Sequence, residues 1–507
     1  MQDYTDNKSI KSYKQILKST FIMGGSSIIV TLLGIVRTKI IALILGPTGV
    51  GLTGIYMSIT SLVSTISGMG IRESGVQQIA GALGTDDQIR MSRTVRTLRR
   101  TALISGSVGL FLLLFMSGSI SRLTFGNSEH TYDIALLSIA IFLGAVSGGQ
   151  TALIQGMRRV SDLAKLSMLG ALAGTAFSIP LIYYLGERGI VYTLLIVSAT
   201  GTLTSWWYCK KIEVPVAKLN WRDSFSEAQP LLKLGLALML GWLLTVCTQY
   251  ILRVFVVRYY GLSAAGIYQA STTLSTIYVS VILNAMLTDY YPRLSAAAAD
   301  NSKCKSLIND QVEIGLLLAV PGILAIMTFA PFVISIFYSS RFLPAVDILR
   351  WQILGVVLQV VTWPMGFMLR AKADGQLFFW TEFFANSMHL GLAWLGITYF
   401  GLIGIGMAFF GMSLSYWVLI YWIIRRNYEF TLSIVNIRLM SIFAFATGIV
   451  FITPYYASKN PSLLINIGVA IAAGTYSLRI LFNKVGTDMT PGILLKFKSV
   501  FITSKIQ

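Results

Sequence analysis

Four basic residues, Arg37, Lys39, Arg253 and Arg479, sit inside long apolar runs. A charge at mid-bilayer costs about 2.5–3.5 kcal/mol on insertion scales, so such a residue normally faces a wet or paired interior. Arg37 and Lys39 are two residues apart, about 200° round a helix, and cannot both face one cleft. Arg37 is the candidate for the cleft; Lys39 snorkels outward or lines a second face. Arg253 follows Gln249 by one turn, which puts amide and guanidinium on one helix face. Such a set suits a polyanion, a diphosphate for instance. Arg grips phosphate oxygens by forked hydrogen bonds and keeps its charge in a dry site. A blander use stays open for each group: a nearby carbonyl or a lipid phosphate would also satisfy it.

Other polar groups suggest further roles. Arg72 and Glu73 close the second apolar run, and Asp289 stands near the matching end of the eighth. They mark a cytosolic rim or a solvated ion pair. Glu382, Asn386 and His389 follow at spacings of four and three, on one helix face. A buried carboxylate and an imidazole could exchange a coupling H⁺. The same face could take Na⁺ or form a polar packing seam. Hydroxyl stripes run along helix 2 (Thr53, Tyr56, Thr60, Ser64, Ser67) and helix 8 (Gln269, Thr272, Thr276, Ser280, Asn284). They could bond sugar hydroxyls or hold helices together. Cys209, Cys247 and Cys304 imply no disulfide framework and lack metal-ligand spacing. With no phosphate-binding Walker loop either, no cofactor is expected, and energy would come from a gradient or from the substrate.

The elements that position these residues are membrane helices. Of 507 residues 55% are hydrophobic and only 12% charged, about half the charged share of a soluble protein. Apolar runs of about 20 residues recur, each long enough to cross a bilayer core. Helices are expected at about 18–45, 50–72, 101–120, 133–155, 163–185 and 189–209. A second set falls at about 231–258, 263–288, 310–338, 346–370, 377–399 and 403–424, and a last pair at about 435–453 and 462–482. Lys and Arg sort into alternate loops: thirty of forty fall on one side and six on the other. That bias puts both termini in the cytoplasm with fourteen spans between them. Basic loops beside an anionic leaflet explain most of the +19 net charge without nucleic acid.

The chain also repeats itself at an offset of 215. Gly46, Gly51, Tyr184, Gly186 and Gly189 return as Gly261, Gly266, Tyr399, Gly401 and Gly404. Lys210-Lys211 return as Arg425-Arg426. The expected architecture is therefore an all-α polytopic membrane protein of two six-helix lobes. An even span count makes the lobes parallel repeats about an axis along the membrane normal. The divisions are a cytoplasmic tail (1–17), an N-lobe (18–212), a linker (213–227), a C-lobe (228–426) and an extra helix pair with a tail (427–507). Two such lobes suit transport by alternating access.

Particular stretches resemble a known family. IVRTKIIALILGPTGVGLTGIY (35–56), TSLVSTISGMGIRES (60–74), ALIQGMRRVSDLAKLSMLGAL (152–172) and YYGLSAAGIYQASTTL (259–274) look like the polysaccharide-transport branch of the multidrug/oligosaccharidyl-lipid/polysaccharide (MOP) exporter superfamily. They are most similar to the Wzx-type O-antigen translocases, over about residues 15–425. The resemblance implies a flippase, not an enzyme, in a bacterial inner membrane. It would move undecaprenyl-pyrophosphate-linked oligosaccharide to the periplasmic leaflet. The implied partners are that glycolipid, membrane lipids and polysaccharide polymerase or assembly proteins. In related lipid II flippases an Arg on helix 1, shortly after a Gly, helps bind pyrophosphate; Gly34-Ile35-Val36-Arg37 matches that pattern. Two alternatives are a cation-coupled multidrug exporter and a membrane polymerase or glycosyltransferase. The first should place carboxylates where helix 1 has Arg37 and Lys39. The second should carry paired carboxylates in an accessible extramembrane loop, and no DxD-like pair stands in one.

Overall fold

The computed structural model describes residues 2–84, 88–212 and 221–485. Most of the linker expected at 213–227, the tail beyond 485 and the side chains of the tail at 1–17 lie outside the described residues. The described chain is helical throughout: α1 (Gln2–Ile44), α2 (Gly46–Gly68), α3 (Ile71–Gly84), α4 (Gln88–Phe125), α5 (Thr131–Gly156), α6 (Val160–Leu185), α7 (Gly189–Lys210) and α8 (Trp221–Ala296). There follow α9 (Asn301–Thr328), α10 (Ala330–Phe337), α11 (Ala345–Ala371), α12 (Gly375–Phe400), α13 (Ile403–Tyr428), α14 (Ile434–Tyr456) and α15 (Lys459–Val485).

Among the described residues, eleven segments are long and apolar enough to cross a membrane. Two of them are double length. Val160–Lys210 is broken at the 3-10 turn Gly186–Arg188, and Met239–Asn284 at Gly261. Splitting both gives thirteen, and the 26-residue α12, which carries Glu382, Asn386 and His389 and falls outside those eleven, has the length to be a fourteenth. Two boundaries differ from expectation. Met69 and Gly70 both take left-handed φ, of 46° and 62°, so the second run ends at Gly68 and α3 starts afresh. The arginines at 90, 93, 96, 99 and 100, whose spacing of three and four reads as a helix leading into the third span, do lie on α4 with that span. The run at 310–338 divides at Phe329 into α9 and α10.

The sequence repeat is also a repeat of backbone conformation. Gly46 and Gly261 have φ of +67° and +81°; Gly186 and Gly401 have +60° and +67°. Only glycine adopts such angles freely. A Cβ on Gly189 would overlap the Leu181 carbonyl, and one on Gly404 would overlap that of Gly396. Positions 181 and 396 are themselves 215 apart.

By packing, the described chain forms two compact units. One is the chain through Ala270 with Ile334–Ala345; the other is Ser271–Val333 with Val346 onward. In the first, α4 lies along α5 and α6 along α7. Glycines set these approaches: Gly106 faces Ala145 and Phe142, and Gly149 faces Ala102. Lipid gives helices no hydrophobic reason to associate, so small residues that permit close packing do that work. Ile79, Val95, Leu98, Leu153 and Ile154 form a buried core at one end.

In the second unit α14 and α15 pack on α9. Asn309 Nδ2 donates to the Thr431 carbonyl at 3.1 Å, and its Oδ1 accepts from the Ser433 N–H at 2.7 Å and from Asn436 Nδ2 at 2.9 Å. Lys484 donates to Glu313 Oε2 at 2.7 Å.

Candidate functional site

Arg37 sits on α1 one turn after Gly34, and both line a cavity of about 270 Å³ walled by α1, α5, α6 and α7. Ser147, Ser167, Thr175 and Thr204 add hydroxyls to the lining, and among the described residues none in the lining is acidic. Glycine keeps the space open: a Cβ at Gly34 or Gly201 would meet nothing within 4 Å. The guanidinium is half-buried, and among the described residues it has no hydrogen-bond or ion-pair partner. A cation with unused donors can take an anion; around it Ser147, Ser167 and Thr204 donate to backbone carbonyls.

Lys39 is used differently. Its Nζ donates to the Ser335 carbonyl at 2.9 Å, on the last turn of α10, where helix carbonyls carry negative partial charge. It therefore lines a second face, pinned to α10. Arg253 donates from Nε at 3.2 Å and Nη2 at 2.8 Å to Gln269 Oε1. Gln249, half-buried one turn earlier, shares the helix face, but Gln269 is the partner. That amide lies against Gly54 of α2, where a Cβ would come within 2.8 Å of it. Arg253 belongs to none of the four helices around Arg37, so the two guanidiniums occupy separate surroundings. Nearby, the repeat partners Gly51 and Gly266 touch: a Cβ on Gly51 would stand 2.8 Å from the Gly266 nitrogen.

Arg72 and Glu73 do not close the second span but open α3, because the left-handed Met69-Gly70 turn intervenes. Both are exposed and line a second cavity, of about 430 Å³. Its walls come from α2, α3, α4, α5 and the first stretch of α8. Asp289, on the later stretch of α8, pairs at 3.0 Å with Arg293 in solvent.

On α12 the three polar residues share a face without forming one network. Glu382 Oε1 accepts from the Tyr416 hydroxyl at 3.0 Å. Asn386 Nδ2 donates to the Glu382 backbone carbonyl at 2.8 Å. His389 is 5% exposed, edge-on to Phe409, and its Nε2 has no partner among the described residues.

One cluster escaped the sequence argument. The Tyr56 hydroxyl, 0% exposed, donates to Asp133 Oδ2 at 2.8 Å and lies 3.0 Å from His130 Nδ1. The His130 ring rests on Phe125 at 4.0 Å. The i,i+3 spacing of His130 and Asp133 was visible, but their convergence on the helix-2 stripe was not.

A multi-pass helical membrane protein with an uncompensated cation in a polar cavity has the form of a transporter, and solved transporters share its fold. An inward-facing multidrug resistance MATE family transporter of the MOP superfamily matches with TM-score 0.68 at 17% identity, over 79% of this chain and 94% of that one. The lipid II flippase MurJ, in an inward closed conformation, matches with TM-score 0.67 at 13% identity, over 92% and 99%. In sequence, the lipid III flippase of Escherichia coli (strain K12) is 23% identical over 380 residues, 72% of this chain and 88% of the relative. The chain belongs to the polysaccharide biosynthesis protein family, whose model matches residues 40–347.

Proposed function

We propose that this protein is a flippase for a polyprenyl-diphosphate-linked oligosaccharide, an O-antigen or similar repeat unit. It works by alternating access in a bacterial inner membrane with both termini in the cytoplasm. The observation that carries the proposal is the unpaired Arg37 guanidinium in a cavity whose lining has no carboxylate. Leaving such a group uncompensated inside a membrane is costly unless a ligand supplies the counter-charge. A diphosphate supplies it with the geometry that an Arg fork fits. Arg253, held by Gln269 outside that cavity, would be a second donor, met by the head group at a different stage of the cycle. Family membership and the lipid III flippase relative favour the same class of cargo. A lipophilic-cation exporter fits less well, since the Arg37 cavity would repel its substrate.

The protein would select a lipid anchor by charge and leave the polyprenyl tail in the bilayer. In cells that depend on this gene for surface polysaccharide, Arg37→Ala should abolish display and let the lipid-linked precursor accumulate. Arg253→Ala should weaken display. Full display by both variants would remove the cationic site from the account. Precursor that is flipped but left unpolymerised would point instead to an enzyme of chain assembly.

A further inference from the structure

The two cavities differ in charge, and that difference assigns different ligands to them. The Arg37 cavity holds a cation and no carboxylate; the larger one holds Arg72 and Glu73 together. One cation and one anion in the same lining give little net attraction for a diphosphate, but they supply a donor fork and an acceptor for a neutral polyhydroxyl ligand. The other walls carry hydroxyls from Ser61, Ser64, Thr65 and Ser105. Thr65 donates to the Ser61 carbonyl at 2.8 Å and Ser105 to that of Ala102 at 3.2 Å, which leaves both oxygens with free lone pairs. Trp242, 65% exposed, offers an indole face, and an aromatic face attracts the polarised C–H bonds of a sugar ring.

We infer that the 430 Å³ cavity is the glycan pocket, in which Trp242 stacks on a sugar ring while Arg72, Glu73 and the α2 hydroxyls bond its hydroxyl groups. This rests on the flippase proposal and deepens it. Both cavities back onto the same stretch of α5: Ser147 lines the Arg37 side, while Gly144 and Gly148 line the other. The two cavities share that helix as a wall, so the proposed glycan pocket lies beside the Arg37 cavity.

Gly144 and Gly148 make the test clean. A Cβ at either meets nothing within 4 Å, so a side chain added there starts into open space. Glycine replacement inside a helix also favours the fold. The purified full chain, reconstituted in vesicles, is given a polyprenyl diphosphate carrying one sugar or the same lipid carrying four. Gly148→Leu should slow translocation of the four-sugar lipid by about tenfold or more and spare the one-sugar lipid, because only a contact to the distal sugars is lost. Trp242→Ala should raise the half-saturating concentration of the four-sugar lipid alone. Equal loss for both lipids, or no change for either, overturns the glycan pocket. If wild type moves neither lipid, the flippase proposal falls. The pocket is then judged by saturation-transfer NMR with the free tetrasaccharide. Transfer in wild type but not in Gly148→Leu supports the pocket, and no transfer in wild type overturns it.

Discussion

Replacing Arg37 by Ala should separate stability from function. An unpaired half-buried guanidinium burdens the empty protein. Against an insertion cost of about 2.5–3.5 kcal/mol at full burial, partial exposure leaves a burden of about 1–2 kcal/mol. Arg37→Ala should therefore melt at the wild-type temperature or a few degrees higher. Ligand reverses the order. Undecaprenyl diphosphate at about 100 times its Kd stabilises whatever binds it by about 2.7 kcal/mol. Two charge-assisted hydrogen bonds are worth about 3 kcal/mol together, so their loss weakens binding roughly a hundredfold. The variant should then gain almost nothing from the same ligand concentration. Arg37→Lys, which keeps the charge but loses the fork, should fall between. The assay is thermal unfolding in detergent with and without the lipid diphosphate. An Arg37→Ala protein that melts well below wild type when empty, yet gains as much from ligand, would show that Arg37 serves packing and would refute the reasoning.

Four further outcomes follow from named contacts. Gly266→Ala should cost about 1–3 kcal/mol, since its Cβ would overlap the Pro47 carbonyl, while Gly25→Ala, where a Cβ meets open space, should be near neutral; melting temperatures check both. Tyr56→Phe should destabilise by about 1.5–3 kcal/mol through loss of the bond to Asp133, seen as a lower melting temperature. Lys484→Ala should loosen α15 from α9, because the Glu313 carboxylate, 8% exposed, loses its cation; faster hydrogen exchange in α15 would report it. Asp300 caps α9, and the Lys303 and Ser302 N–H groups hold its carboxyl below its ordinary range. Its contribution is present above the ordinary carboxylate pKa and is lost as pH falls through the depressed value, so Asp300→Ala should lower the melting temperature at neutral pH but not in strong acid.

Much of the fold was legible because helices and glycine turns are local. Apolar length located the spans, and the offset of 215 marked glycines whose positive φ recurs at Gly46 and Gly261 and at Gly186 and Gly401. Helix ends that depend on a single left-handed residue were less visible. Nothing in the residue types says that Met69 would take φ of 46°, and that angle moves Arg72 and Glu73 onto a separate helix. Among the site residues, Arg37 stood out because a charge in an apolar run must be explained. Lys39 stood out equally, but its partner, the Ser335 carbonyl, is 296 residues away. Gln269 lay in the helix-8 stripe, and only the kink at Gly261 folds it back onto Arg253. The pocket around Trp242 draws on five helices, a convergence that no local pattern encodes.

The most direct measurement is translocation itself. Purified wild type and Arg37→Ala, in vesicles at equal density, are given a fluorescent polyprenyl diphosphate glycolipid, and its transfer between leaflets is followed by quenching from one side. Wild type should move the lipid and Arg37→Ala should leave it where it was added. Equal transfer by the two proteins would contradict the claim that a bare guanidinium in the α1 cavity captures the diphosphate.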